Sequence, residues 1–466
     1  MSDKNQHDHR LTPIAAAVLL WCVITGLILV STAGIYVWKG AHGLEIIMEK
    51  GPLSIQSITL YSVAVTWLLA GLLLFLLHFR RVNSENALTL ACFFFVILLY
   101  LNVLRERPDY GDIEFYFESA SRLYYNEPLP DYYNYLPLWA TLLEPFVPLG
   151  EEVMLNVCWL LNLVSLIAFF FLLDRVLKHY GFSPRLSALV AAAFMAVNVP
   201  ILRVLVYVQV NLHSMNLIFL SLLLYRRSPF LSALALSLAV HFKMTPIILV
   251  FAFLLERDWR WLAWFTLCFF LVGAATAALD GLSPYGDVLS NVMHFNVTRG
   301  VNFRENSFDS FFLALSNLLK INRTATYYAI YAAKLILGVA VLLVAGLCAR
   351  RETFYQGDHA KNLYNSIIVL FIVMNLASPL IWEHHGVFLT LPFLIMLKRL
   401  ALTRHWLWYG FAYFLEFLMP TFDFFPWSYG RLLAPLIWLG LAWALSRKQG
   451  PSVLFQEANR WASTVL

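Results

Sequence analysis

The chain has 466 residues, 60% of them hydrophobic and 13% charged, with a formal net charge of +5. Soluble globular proteins carry about a quarter charged residues. The deficit excludes an ordinary soluble enzyme, a disordered chain and a nucleic-acid binder, and it makes each polar residue inside an apolar run a candidate for function.

In chain order, residues 1–12 are polar and residues 13–37 form an apolar run. That run is too long for a signal-peptide core and lacks a clear cleavage site, so it is expected to stay as a first membrane helix. A bilayer core needs roughly 20 apolar residues in a helix. Further runs of that kind occupy 56–79, 86–104, 153–173, 185–203, 259–279, 326–348, 363–381, 406–422 and 428–446. Four shorter runs, 212–225, 229–241, 244–255 and 386–397, read as half-helices, which are tolerated where protein or water satisfies the backbone. The expected fold is all-α: a polytopic bundle of about 11–14 transmembrane or half-membrane helices.

Most of the 33 Lys and Arg residues fall on one side if the N-terminus is inside, which places both termini in the cytoplasm. The parity holds if residues 229–255 form a broken hairpin with Lys243 near its outer tip. The expected organisation is N-terminal helices over 1–104, an outer loop with interfacial helices over 105–152, and helices with the hairpin over 153–279. A second outer loop follows over 280–325, then helices over 326–446 and a cytoplasmic tail over 447–466.

The stretch from Gly111 to Tyr125 carries Ile113, Phe117, Ala120 and Tyr124 at helical spacing. It is too short and charged to span, so it is expected to lie along the outer surface. Asp112 opens it. A carboxylate there suits a general base for a sugar hydroxyl, and it equally suits an N-cap. The aromatic run Tyr132–Trp139 is either an interface belt or a stacking surface for a sugar or isoprenoid.

Other polar residues interrupt the apolar runs. Lys243 sits in the middle of one, either as a functional cation or snorkelling to the interface. Gln209, Asn211 and His213 occupy a short turn between spans. They read either as partners for sugar hydroxyls or as groups that finish a helix end. Glu383, His384 and His385 lie where a span leaves the membrane. Adjacent histidines on a helix point about 100° apart, and no HExxH spacing occurs, so no metal site is expected. The five cysteines are odd in number and form no CxxC pair, so neither a disulfide framework nor a thiolate metal site is expected.

Four stretches in one order carry a resemblance. They are Asp112 with Tyr116 and the later Tyr135-Leu136-Pro137-Leu138; Gln209-Val210-Asn211; Lys243-Met244-Thr245-Pro246; and Ser378-Pro379-Leu380-Ile381-Trp382-Glu383-His384-His385. Together they resemble the GT-C membrane glycosyltransferases, and more narrowly glycosyltransferase family 87, which includes mycobacterial alpha-mannosyltransferases and arabinofuranosyltransferases. Val208 stands where that family usually has glycine before the Gln-x-Asn motif, and two spans precede the one leading to Asp112.

The resemblance implies a polyprenyl-phosphate-sugar donor, with mannose the first choice of sugar. It implies a glycolipid or glycan acceptor, the lipid bilayer as partner, no nucleic acid and no cofactor. It implies an active site on the periplasmic face of a bacterial inner membrane. Asp112 inherits the role of base, with Asp109 and Glu114 as fallbacks. With such a donor, Lys243, His384 and His385 become candidate phosphate contacts, and in the second outer loop Arg304, then Arg299, reads either as a bidentate phosphate contact or as a solvated charge. Tyr116, Tyr135, Gln209, Asn211 and Glu383 become substrate contacts, and no residue is assigned to metal. A lipid or sugar transporter without chemistry is the competing expectation, since broken helices also occur there.

Overall fold

The computed structural model describes residues 12–47, 55–99, 112–298, 306–357, 359–419, 427–447 and 450–465. Among them the secondary structure is helical and contains no strand. The chain opens with α1 (Pro13–Ile47), α2 (Ile55–His78) and α3 (Ser84–Leu99). Trp21 stacks on Trp67 at 6.0 Å, and Trp67 donates to Thr25 Oγ1 at 2.9 Å, which fastens α1 to α2.

The first polar loop contains α4 (Asp112–Tyr124) and α5 (Leu138–Leu143). The buried face of α4 is Ile113, Tyr116, Ala120 and Leu123, while Tyr124 is exposed. The expected stripe is therefore rotated: the face packs against protein, because Tyr116 and Leu123 find partners in α5 and in α6 (Glu151–His179). Tyr133, Tyr135, Trp139, Met154, Cys158, Val208 and Val210 complete this second core.

Residues 185–203 read as one span, but the structure breaks them into α7 (Pro184–Ala196) and α8 (Val199–Val206), bent by 62°. The cause is local. Asn198 caps α8 by accepting from Ile201 N at 2.9 Å, and Pro200 occupies its first turn, where a missing N–H costs nothing.

Next come α9 (Asn211–Leu224) and α10 (Pro229–Phe242), joined by a tight turn. After Lys243 a 3-10 turn, Thr245–Leu249, leads into α11 (Val250–Glu256), and α12 (Trp259–Asp280) follows. Tyr225 Oη, at the end of α9, donates to Asp258 Oδ2 at 2.8 Å. The chain has thus returned by Asp258 to the level of the α9–α10 turn, leaving Lys243 at the opposite tip.

The second polar loop carries α13 (Ser283–Thr298) and α14 (Phe308–Leu319). Asp287 accepts from Leu129 N at 3.0 Å, and Asn291 donates to the carbonyls of Pro130 and Tyr133 at 2.8 and 3.0 Å. Both polar loops therefore lie at one end of the bundle. The remaining helices are α15 (Arg323–Arg350), α16 (Lys361–Ala377), α17 (Thr390–Met396), α18 (Thr403–Tyr413), α19 (Gly430–Ser446) and α20 (Val453–Val465). A 3-10 turn, Glu383–Leu389, separates α16 from α17.

Four helices, α1, α6, α12 and α15, are long and apolar enough to cross a bilayer, and the bent α7–α8 pair is a fifth candidate. Shorter apolar helices, including α9, α10, α16 and α19, fill the bundle between them. The far end is held by cations on backbone carbonyls. Lys398 donates to Tyr180 O and to Phe354 O, and Arg399 donates to Glu352 O at 2.9 Å. α20 packs onto this end against α7 and α1.

Candidate functional site

The site lies where α4, the α8–α9 connection, the tip after α10 and the Trp382–His385 turn meet. Asp112 is the first residue of α4 and stays partly exposed. Among the described residues its carboxylate is bonded by Gln209 Nε2, 97 positions away in sequence, rather than by an N–H of its own first turn. Burial pushes the Asp112 carboxyl up to about 6, and the Lys243 ammonium opposes that rise. The cap reading of Asp112 therefore has no hydrogen bond of its own, while the reading as a proton acceptor has a tuned carboxyl.

Gln209 is fixed from its other side by Tyr116 Oη, which donates to Gln209 Oε1 at 3.4 Å. Tyr116 packs edge-on against Tyr135 and Trp139 at ring separations of 6.2 and 5.8 Å. Phe115 stacks on Tyr133 at 5.6 Å. The aromatic run thus forms a wall behind Asp112 and is mostly turned into protein, with Tyr132 its exposed member.

Two residues on, Asn211 serves the cation. Lys243 Nζ donates to Asn211 Oδ1 at 2.7 Å, and Asn211 Nδ2 donates to His384 O at 3.1 Å. Lys243 is only 6% exposed, so it does not snorkel into solvent, and it lies 5.8 Å from the Tyr135 ring. The short segment Gln209-Val210-Asn211 therefore has one amide on the Asp112 carboxylate and one on the Lys243 ammonium.

The backbone just before it is unusual. Val208 has φ 54°, in the left-handed region where a β-branched residue is strained and glycine is not. The strain costs on the order of 1–3 kcal/mol. Burying the valine side chain returns roughly 1.5–3 kcal/mol, so the two nearly cancel. Val208→Gly should keep the melting temperature within a few degrees and leave sugar transfer intact. Val208→Pro, whose ring forbids positive φ, should displace Gln209 and lower transfer at least about tenfold. A thermal melt and a transfer assay on both variants check this; equal activity of the two would remove the backbone argument.

The Trp382–His385 turn is buried, with Glu383, His384 and His385 each below 9% exposure. Trp382 N–H donates to Nδ1 of His385 at 2.9 Å, which leaves the neutral ring's proton on Nε2. The two imidazoles stack at 4.7 Å. Glu383 makes two ion pairs, with Arg203 Nε at 2.9 Å and Arg431 Nη2 at 2.6 Å. Both of its oxygens are engaged, so its geometry is that of an anchor for the turn more than of a free acceptor for sugar. Gly386 allows the turn to close: a Cβ there would meet the Glu416 carboxylate and lie 2.8 Å from Pro200 Cγ.

Of the residues singled out from sequence, the structure thus gathers Asp112, Tyr116, Tyr135, Gln209, Asn211, Lys243, Glu383, His384 and His385. Glu114, the fallback base, is exposed on the opposite side of the α4 start. His213 is close by but engaged with Ser165 Oγ. Asp109, Arg299 and Arg304 lie outside the described residues. The second loop still reaches the site, because Asn306 N donates to Ile381 O at 2.7 Å. Among the described residues no group of three His, Cys, Asp or Glu side chains has metal-site geometry. Arg203 and Arg431 escaped sequence reasoning. Each is a charge at the edge of an apolar span, the signal that marked Lys243 and that marks them equally.

The profile of glycosyltransferase family 87 matches residues 133–379, just over half of the chain. No curated protein and no solved structure gives a significant match. The match takes in Tyr135, Gln209, Asn211 and Lys243, with Asp112 before it and the histidine turn just after it. The chain belongs to glycosyltransferase family 87 and is a membrane glycosyltransferase.

Proposed function

We propose that the protein transfers one sugar, mannose first among the candidates, from a polyprenyl-phosphate donor to a hydroxyl of a glycolipid or glycan. The site would face the non-cytoplasmic side of a bacterial inner membrane, in a GT-C-type bundle. The observation that carries this reading is the pairing of a tuned acid and a buried cation, Asp112 and Lys243, held apart by the amides of Gln209 and Asn211.

The step is a single displacement. The acceptor oxygen attacks the anomeric carbon, its proton passes to Asp112, and the bond from that carbon to the phosphate oxygen breaks. The phosphate monoester leaves with the electron pair and the lipid tail. Lys243 and the Nε2–H of His385 are the groups suited to receive that charge. Attack from the face opposite the leaving group inverts the anomeric configuration.

The test uses purified protein with short-chain polyprenyl-phosphate-mannose and follows release of polyprenyl phosphate. Release with mannose supports the whole reading. Release only with glucose or arabinofuranose donors changes the sugar. No release with any of the three, together with uptake of labelled sugar into vesicles, replaces the reading with transport.

The acid limb of the rate profile follows from the same carboxyl. A base must be ionised, and the Asp112 carboxyl is pushed up to about 6. The transfer rate should therefore fall tenfold per pH unit below about 6, and it should fall again at higher pH as Lys243, whose ammonium burial lowers to about 7, loses its proton. A limb near 4, the ordinary carboxylate value, would mean that a different acid accepts the proton.

A further inference from the structure

We propose that Arg203 is a phosphate contact of this site, with Glu383 holding the guanidinium in place for it. The inference rests on the donor reading above and adds a residue that neither the motifs nor the family match assigns.

The starting point is an imbalance in the buried ion-pair group. Glu383 sits between two guanidinium groups, and the three side chains are 9, 5 and 2% exposed for Glu383, Arg203 and Arg431. The two arginines are not equally satisfied. Arg431 also donates through Nε to Glu416 O at 3.2 Å and through Nη2 to Met419 O, and the Glu416 carboxylate is its neighbour. Among the described residues Arg203 is hydrogen-bonded to Glu383 through Nε, and its Nη1 is buried with no hydrogen-bond partner. A buried, unpartnered N–H of a cation is costly, and it is retained where a ligand supplies the missing acceptor.

The surroundings identify the acceptor. Arg203 lies 5.9 Å from the Tyr207 ring, and Tyr207 packs edge-on against His384 at 6.2 Å. Arg203 and Lys243 are both electrostatic neighbours of His384, and Asn211 links its carbonyl to Lys243. The histidine turn is therefore flanked by two cations with different hydrogen-bonding capacity. Lysine offers a point charge, and arginine offers a fixed planar edge suited to a phosphate. A phosphate against this turn would meet both. Glu383 fixes the angle of that edge by holding Nε, which makes Glu383 a positioning residue.

The experiment compares full-length wild type with Arg203→Lys, Arg203→Gln and Arg431→Gln in detergent. Binding is measured for a short-chain polyprenyl phosphate and for the polyprenol of the same length, with inorganic phosphate as competitor. Wild type should prefer the phosphorylated lipid by more than tenfold. Arg203→Lys keeps a charge on Glu383 and a near-normal melting temperature, but has no second edge. It should lose at least about tenfold of that preference with polyprenol binding unchanged, the size of a lost charged hydrogen bond. Arg203→Gln should lose as much or more. Arg431→Gln should lower the melting temperature and weaken both lipids alike. Full preference retained in both Arg203 variants would leave Arg203 as an ion-pair partner alone and overturn the proposal. A wild type without preference would instead overturn the donor reading, and the proposal with it. Inorganic phosphate competing at equal concentration in wild type, and not in the Arg203 variants, would keep the phosphate contact and reject the lipid as its source.

Discussion

Asp112→Asn is expected to lower sugar transfer by about 10²–10⁴-fold, the range that a positioned base contributes. The substitution keeps the volume of the side chain and its place at the start of α4, where Gln209 can turn its amide to meet it. It removes only the ability to take a proton. The fold should not suffer. Because burial raises the Asp112 carboxyl to about 6, the folded protein holds that proton more tightly than the unfolded chain does. The contribution of this group to stability is therefore present at low pH and is lost as pH rises from about 4 through 6. A permanently neutral asparagine avoids that loss at neutral pH, so its melting temperature should match or exceed that of wild type.

Donor binding supplies the second readout. Asp112 is a negative neighbour of Lys243, and a negative neighbour opposes an incoming phosphate. Asp112→Asn should bind polyprenyl phosphate as well as wild type or better. Lost turnover with retained binding isolates the proton-transfer step. Turnover within tenfold of wild type would take Asp112 out of the mechanism, and lost binding would make it a structural residue.

What the sequence disclosed about this site, and what it hid, divides along local and long-range lines. Asp112 was visible because a lone helix between spans needs a reason to be charged. Lys243 was visible because an ammonium inside an apolar run is costly. Gln209 and Asn211 stood out as a polar pair, yet their division of labour depends on Val208, whose positive φ aims one amide at Asp112 and the other at Lys243. Nothing local in a valine announces that conformation. The break at Asn198 was legible in principle, since Asn followed by proline two residues on is an N-cap signature inside an apolar run. The ion pairs of Glu383 are not legible in the sequence, because its partners, 180 positions before it and 48 after it, come from other elements. Which carboxylate meets which guanidinium is decided by packing of α8 and α19 around the turn, and no spacing rule reaches that far.

Lys243→Met is expected to lower kcat/KM by about 10²–10³-fold, the usual cost of removing one preorganised group that stabilises developing charge. Methionine preserves most of the apolar stem that carries the Lys243 ammonium to within 5.9 Å of the Tyr135 and Phe388 rings, so the tip after α10 should keep its shape. What disappears is the charge near the leaving phosphate and the donor to Asn211 Oδ1. Lys243→Arg restores charge on a longer, planar group and should recover only part of the rate, because the ammonium is seated on a single amide oxygen. The decisive readout is the pH profile of the residual activity. Lys243 is the opposite charge that holds the Asp112 carboxyl down against burial. Without it only the raising effect remains, so the acid limb of Lys243→Met should move to higher pH than the wild-type limb near 6. A substitution that merely loosened the turn would admit water and move the limb the other way, toward the ordinary carboxylate value. The direction of that one shift therefore separates a cation working beside the base from a lysine that only fills space.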